Sequence, residues 1–275
     1  MSASVQILGI GLLGPGLAGW AASSRVLREP GAWQSAPTVL PPPARLPSAE
    51  RRRSGAIVKL SLAVADEALA MAQARCGLTI DPGRMATVFT SSSGDPSNCH
   101  ALCEALAQPD RAVSPTRFTN SVHNATAGYW HIATQSRASS TSLCAYDASW
   151  AAGLLEAYSQ CAAAQSPVLL VASDIQYPEP LHALRKMPDA FGIALLLAPG
   201  QTSDAGATLT LSLTSDATPP SAMADANLQG VSCAVPAARG LTLLQALARG
   251  EPAELVVDGF SGAALKLSVT PKGVW

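Results

Sequence analysis

Apolar positions in this chain follow two rhythms: short continuous runs alternate with longer segments in which apolar residues recur every three or four positions. That is the pattern of strands covered on both faces and joined by helices with wide apolar sides. The runs are SVQILGI (4–10), MATVFT (85–90), STSLCA (140–145), VLLVASD (168–174), IALLLAP (193–199) and ATLTLSLTS (207–215). A long helix is predicted from Ile57, Leu60, Val64, Ala68 and Met71, with Val58, Leu62, Ala65 and Leu69 widening the face until only Lys59, Asp66, Glu67 and Gln73 mark a wet edge. Further helices are expected near 97–107, 121–134 and 148–164. The Pro-rich, charged stretch TVLPPPARLPSAERRR (38–53) reads as a surface loop. From about 216 the pattern thins to a Pro/Ala/Gly-rich linker, a short helix LTLLQALAR (241–249) and two strand candidates, AELVVDGF and AALKLSVT. Strands alternating with helices predict an α/β layered fold.

Composition narrows the classes. With 275 residues, 48% hydrophobic and 13% charged, the chain has ample material for a large core. Aromatic residues make up only 5% and the formal net charge is -1, which argues against a nucleic-acid surface. The first charged residue is Arg25, yet Gly9, Gly11, Gly14, Pro15, Gly16 and Gly19 interrupt the apolar start and no Lys or Arg precedes it. Neither a signal peptide nor a membrane span is expected there, and a cytoplasmic location is. Six cysteines without a secreted-type framework are expected to be reduced thiols.

Several motifs invite chemistry. GIGLLG (9–14) fits G-x-G-x-x-G after a strand, but Pro15 and Gly16 follow at once and no acidic strand end appears about 20 residues on, so nucleotide binding is not expected. CHALC (99–103) sets Cys99 and Cys103 one helical turn apart beside His100, without the second ligand pair that zinc needs; buried helix cysteines and no metal are expected. No G-x-S-x-G occurs, so the serines of TSSSGD (90–95) are expected to cap a helix or satisfy backbone groups. Among the histidines only His123 falls at an interesting helix start. The most pointed stretch is SLCAYDASWAAGLLEA (142–157), a strand running into a helix with Cys144 and Asp147 at the joint. A helix N-terminus favours negative charge there, whether a thiolate nucleophile or an Asp N-cap.

Five segments in order, VQILGIGLLGP, LSLAVADEALAMA, VFTSSSGD, SPTRFTNSVHNATAGYWHIA and SLCAYDASWAAGLLEA, resemble the N-terminal half of a β-ketoacyl synthase over roughly residues 4–200. The resemblance implies a thiolase-like layered fold, with 1–215 as the ketosynthase-like N-terminal half and 216–275 as a shortened remnant of the second. In that family the nucleophilic cysteine precedes a small residue and a Ser at this joint. The pattern places Asp147 there, followed by Ala148 and Ser149, while Cys144 falls three residues early. A carboxylate is a poor thioester acceptor. The family's catalytic histidines belong to its second half, and no histidine follows His182 here.

The resemblance therefore implies a catalytically inactive subunit similar to chain length factors, in particular the small ketosynthase-like subunits of aryl polyene pathways. Its expected partners are an active β-ketoacyl synthase, as a heterodimer, and an acyl carrier protein reached through that complex; no cofactor is expected. STSLCA, with Leu143 and Cys144, would be the interface strand. Phe118, Thr119, His123, Tyr129 and Trp130 would be tunnel or interface contacts, with core packing as the alternative for Tyr129 and Trp130. Two other functions stay open at this level: a residual acyl-thioester decarboxylase or thioesterase using Asp147 or His123, and a freestanding acyl-binding protein.

Overall fold

The computed structural model describes residues 4–77, 79–200, 202–215, 218–259, 262–273 and 275. Phe260, which ends the expected strand AELVVDGF, lies outside the described residues. The chain begins with β1 (Val5–Gly14), β2 (Leu17–Ala18), α1 (Trp20–Arg28), α2 (Ser48–Arg53) and α3 (Ala56–Cys76). It continues through β3 (Ala86–Thr90), α4 (Pro96–Ala107), α5 (Pro115–Thr119), α6 (Ala125–Thr134), β4 (Ser140–Leu143), α7 (Ser149–Ala164) and β5 (Val168–Asp174). Then follow α8 (Leu181–Leu184), β6 (Phe191–Pro199), β7 (Ala207–Thr214), α9 (Ala226–Ala234), α10 (Leu241–Arg249), β8 (Ala253–Asp258) and β9 (Ala264–Thr270).

Among the described residues these strands form one mixed sheet in the order β4-β3-β5-β6-β1-β7-β9-β8, with β2 beside β1. β3 runs parallel to β4 and β5; the other pairings are antiparallel. Alternation along β5 shows why the run is apolar throughout. Val168 and Leu170 point into the layer containing α7 and α10, and Leu169 and Val171 into the layer built on α3 and α6. Both faces are thus covered, as the continuous apolar runs predict.

In β1 the register shifts between Ile7 and Gly9, so Val5 and Ile7 before the bulge and Ile10 and Leu12 after it all face the α7 layer. The bulge turns Gly9 and Gly11 toward α3, where a Cβ would overlap the carbonyl oxygens of Ala68 and Val64. Gly9 and Gly11 of GIGLLG thus serve close packing of a strand on a helix, while a Cβ at Gly14 would meet the Phe191 ring.

Four local expectations are corrected. Glu67 is no wet-edge residue: its carboxylate accepts from Leu12 N (2.8 Å) and Trp20 N (2.5 Å), holding β1 and the start of α1 to α3. The loop 38–53 ends in a short helix, α2, with Arg53 and Glu50 3.2 Å apart. The helix near 121–134 starts only at Ala125, as α6, and a separate short helix, α5, precedes it; between the two, Asn120 and Ser121 side chains donate to the carbonyls of Arg53 and Phe118. The linker contains α9, whose N-cap Asp225 accepts from Asn227 N (2.8 Å) and Leu228 N (3.1 Å), and its outer oxygen accepts from Gly31 N (2.8 Å). Among the described residues no helix is long and apolar enough to cross a membrane.

Candidate functional site

The C-terminal ends of β3, β4 and β5 converge on the start of α7. β3 and β4 are held in step beyond their paired residues by Ser91 N donating to Leu143 O (3.2 Å). Thr90 Oγ1 donates to Ser149 O (2.8 Å), fixing the first turn of α7 to β3. Ser149 Oγ lies 2.7 Å from Tyr146 O and 3.1 Å from Ser91 O, and accepts from Ala145 N (3.1 Å). These contacts hold a sharp corner in which Tyr146 has φ 50, a left-handed conformation that is strained for a bulky side chain. Asp147 follows in a 3-10 turn, at the tip of the joint.

Asp147 does not cap α7, which has no side-chain cap hydrogen bond. Its carboxylate instead meets two guanidinium groups from far along the chain. Arg185 Nη2 lies 2.5 Å from Oδ1 and Arg239 Nη2 3.4 Å from Oδ2, while Arg239 Nη1 reaches Asp258 Oδ2 at 3.4 Å. The Arg185 guanidinium also stacks 3.8 Å above the Tyr146 ring and 5.9 Å from that of Tyr177. Burial works against the Arg185 charge, but the Asp147 carboxylate, helped by the two tyrosines, outweighs it and pushes the guanidinium pKa up. Asp147 is 47% exposed and both arginines 19%, so the pair closes the floor of the joint and leaves its mouth open.

Behind the joint lies Asp174, fully buried at the end of β5. It accepts from Ser92 N (2.7 Å), Ser91 Oγ (3.1 Å) and Ala237 N (2.8 Å), tying the β3 loop to the segment before α10. Burial raises its pKa despite those donors. In TSSSGD, Ser91 satisfies backbone N–H groups as expected, but the α4 cap is Asp95, accepting from Asn98 N (2.9 Å). Cys144 is exposed just past β4, and burial together with the Asp174 charge raises its thiol pKa, the reverse of an activated nucleophile. Cys99 and Cys103 are exposed on α4, contrary to the expected burial. Among the described residues no three His, Cys, Asp or Glu side chains stand together as a metal site would require.

The other candidates separate into two groups. Phe118 (69% exposed), Thr119 and His123 lie on the surface around α5 and the turn after it. Tyr129 and Trp130 are buried: Tyr129 Oη donates to Asn120 Oδ1 (3.2 Å), and Trp130 packs 6.5 Å from Phe89 between ring centroids. Leu143 is half-buried against the α7 layer. β4 is shorter and more polar than STSLCA implied, ending at Leu143, and one of its edges is unpaired among the described residues. Arg185 and Arg239 carried no local signal in the sequence; only the fold brings them to Asp147.

Residues 20–257 match the sequence profile of the β-ketoacyl synthase N-terminal domain, and the chain belongs to that family. Its fold is that of solved ketosynthase assemblies. A structure of the ketosynthase ApeO in complex with its chain length factor ApeC from Xenorhabdus doucetiae superposes with TM-score 0.70 at 24% identity, over 96% of this chain and 99% of that one. The ishigamide ketosynthase/chain length factor gives TM-score 0.71 at 13% identity, over 98% and 100%. AntDE:AntF, a type II PKS acyl-carrier protein in complex with its ketosynthase, gives 0.74 at 13%, over 98% and 100%. No curated protein matches the sequence.

Proposed function

We propose that this chain is a non-catalytic, chain-length-factor-like subunit that pairs with an active β-ketoacyl synthase and shapes its acyl tunnel during polyene- or polyketide-type elongation. The observation that carries the reading is the occupant of the joint. A carboxylate neutralised by two guanidinium groups is a poor nucleophile, and no histidine hydrogen-bonds to it among the described residues. Pairing is supported by the open edge of β4, bordered by a groove lined by Asn124, Gly128, His131, Ser140 and Ser142, with exposed Ile132 on the same helix. The solved assemblies named above contain ketosynthase–chain length factor and ketosynthase–carrier protein pairs, which supports the same partners here. Phe118, Thr119 and His123 are then the surface contacts, and Tyr129 and Trp130 set the tunnel wall from behind.

The test is co-expression with a cognate ketosynthase, followed by native mass measurement and a condensation assay with acyl and malonyl thioesters. A one-to-one complex that condenses, beside an isolated chain that does not self-acylate, is the expected result. Turnover by the isolated chain would overturn the proposal.

A further inference from the structure

α4 is a surface helix, in which only Pro96 and Leu102 are buried. Cys99 and Cys103 are exposed on it, outside the joint and outside the surfaces assigned to pairing. A spacing of four puts both side chains on one face of the helix, one turn apart. No other two cysteines in the chain stand within four positions of each other. The two thiols also sense one another. Partial burial is the first cause pushing the Cys99 thiol pKa up, followed by Cys103, as a charge and as a hydrogen-bond partner, and then by the Asp95 carboxylate. His100 is engaged elsewhere, with its Nε2 3.3 Å from Glu104 Oε1.

Distance decides what such a pair can hold. Cβ atoms four residues apart on a helix are about 5–6 Å from each other. A disulfide needs a Cβ separation of about 3.5–4.5 Å, so closing one would distort the helix. Two metal–thiolate bonds in line span more: at about 2.3 Å each, the length of a zinc–thiolate bond, they set the sulfurs about 4.6 Å apart. Side chains that lean toward each other across one turn reach that span with the helix intact. Ligand number then selects the ion. Zinc and harder cations need further ligands, and among the described residues no third His, Cys, Asp or Glu stands with this pair. Soft cations with a filled d shell, Cu(I) being the biological case, favour thiolates and are satisfied by two in line.

We infer that Cys99 and Cys103 form a two-coordinate site for a soft monovalent cation of the Cu(I) class. Binding releases the two S–H protons to solvent and forms two sulfur–metal bonds, and no atom changes oxidation state. The site stands apart from the proposed pairing and holds whether or not this chain shapes an acyl tunnel.

Ag(I) is the probe, a redox-inert ion of the same class. One equivalent is added to the reduced, metal-free full chain, a short maleimide pulse follows, and alkylation of each cysteine is read by peptide mass spectrometry, beside a native mass of the unreacted sample. One ion per chain is expected. Cys99 and Cys103 should be protected by roughly tenfold, while the exposed Cys144 and Cys233, which compete as single thiols, stay reactive. Zn(II) at the same concentration should leave all four reactive. Cys99→Ser and Cys103→Ser, both at exposed positions, should keep the unfolding temperature, and each should strip protection from the thiol that remains. Silver spread evenly over the four exposed thiols, protection that survives in either variant, or equal protection by Zn(II) would overturn the site. Diamide, an oxidant of dithiols, distinguishes a metal site from a redox pair: a Cys99–Cys103 disulfide forming as fast in the folded chain as in urea would contradict the geometry.

Discussion

At the scale of single residues, the chemistry of the joint turns on Asp147 and its two arginines. Because Asp147 is nearly half exposed, solvent screens the ion pairs, and Asp147→Ala should lower unfolding stability by only about 1 kcal/mol in a urea titration. Asp147→Cys should behave in two ways at once. Guanidinium groups favour a thiolate, so the new thiol should alkylate faster at neutral pH than Cys144, whose own pKa is raised. It should nevertheless fail to condense thioesters, since among the described residues the side chains that pair with position 147 are arginines and not a general base. Asp174 gives a pH signature. Its native pKa lies above the ordinary value of 3.8, so on acidification the folded chain takes up this proton before the unfolded chain does. The group therefore adds stability as pH falls through its raised native value, and wild type should gain in urea midpoint relative to Asp174→Asn over that window. A relative loss would contradict the assignment. The sequence exposed the joint because Cys144, Asp147 and Ser149 are neighbours in it. It concealed what neutralises Asp147, since Arg185 and Arg239 lie 38 and 92 positions further on and no local pattern links them.

At the scale of elements, α9 and β4 carry the sharpest expectations. Asp225 caps α9 and also binds Gly31, and the N–H donors of Leu228, Gly31 and Asn227 hold its carboxyl below the usual range. Asp225→Ala should cost about 1 kcal/mol at neutral pH, the usual size of a lost N-cap. A lowered native pKa means that this contribution is present above the ordinary carboxylate value and fades as pH falls through the native one, so the variant's deficit should shrink in acid. In β4, Leu143 O accepts from Ser91 N on the β3 side, and strand alternation turns the Ser142 N–H outward. Ser142→Pro is therefore compatible with the fold but removes a donor from the open edge. It should abolish co-purification with the ketosynthase while the unfolding temperature stays near that of wild type; an unchanged complex would remove β4 from the interface. The long elements were legible because burial on both faces writes continuous apolar runs, and β5 and α10 fall at the expected residues. The missed elements depend on something other than periodicity. α9 is fixed by a cap inside a stretch of small residues, and the break between α5 and α6 holds side chains that bond the backbone.

At the scale of the whole molecule, one sheet carries everything, and the segment 216–275 extends it through β9 and β8 beside β7. Trp130 lies where α6 closes the α3 layer, so Trp130→Ala should destabilise the chain by roughly 3 to 5 kcal/mol. Phe118→Ala, on the surface, should leave stability within about 0.5 kcal/mol and act on pairing or product length instead. The family follows from the profile match over residues 20–257 and the layered fold from the order of the strands, whereas the proposed division of labour with a partner rests on one position, Asp147. The most direct test is therefore a condensation assay run three ways: this chain alone, its ketosynthase alone, and the purified pair. The account predicts no turnover from this chain alone, wild-type or Asp147→Cys, and a pair whose product lengths differ from those of the ketosynthase alone. Condensation by this chain alone would contradict it.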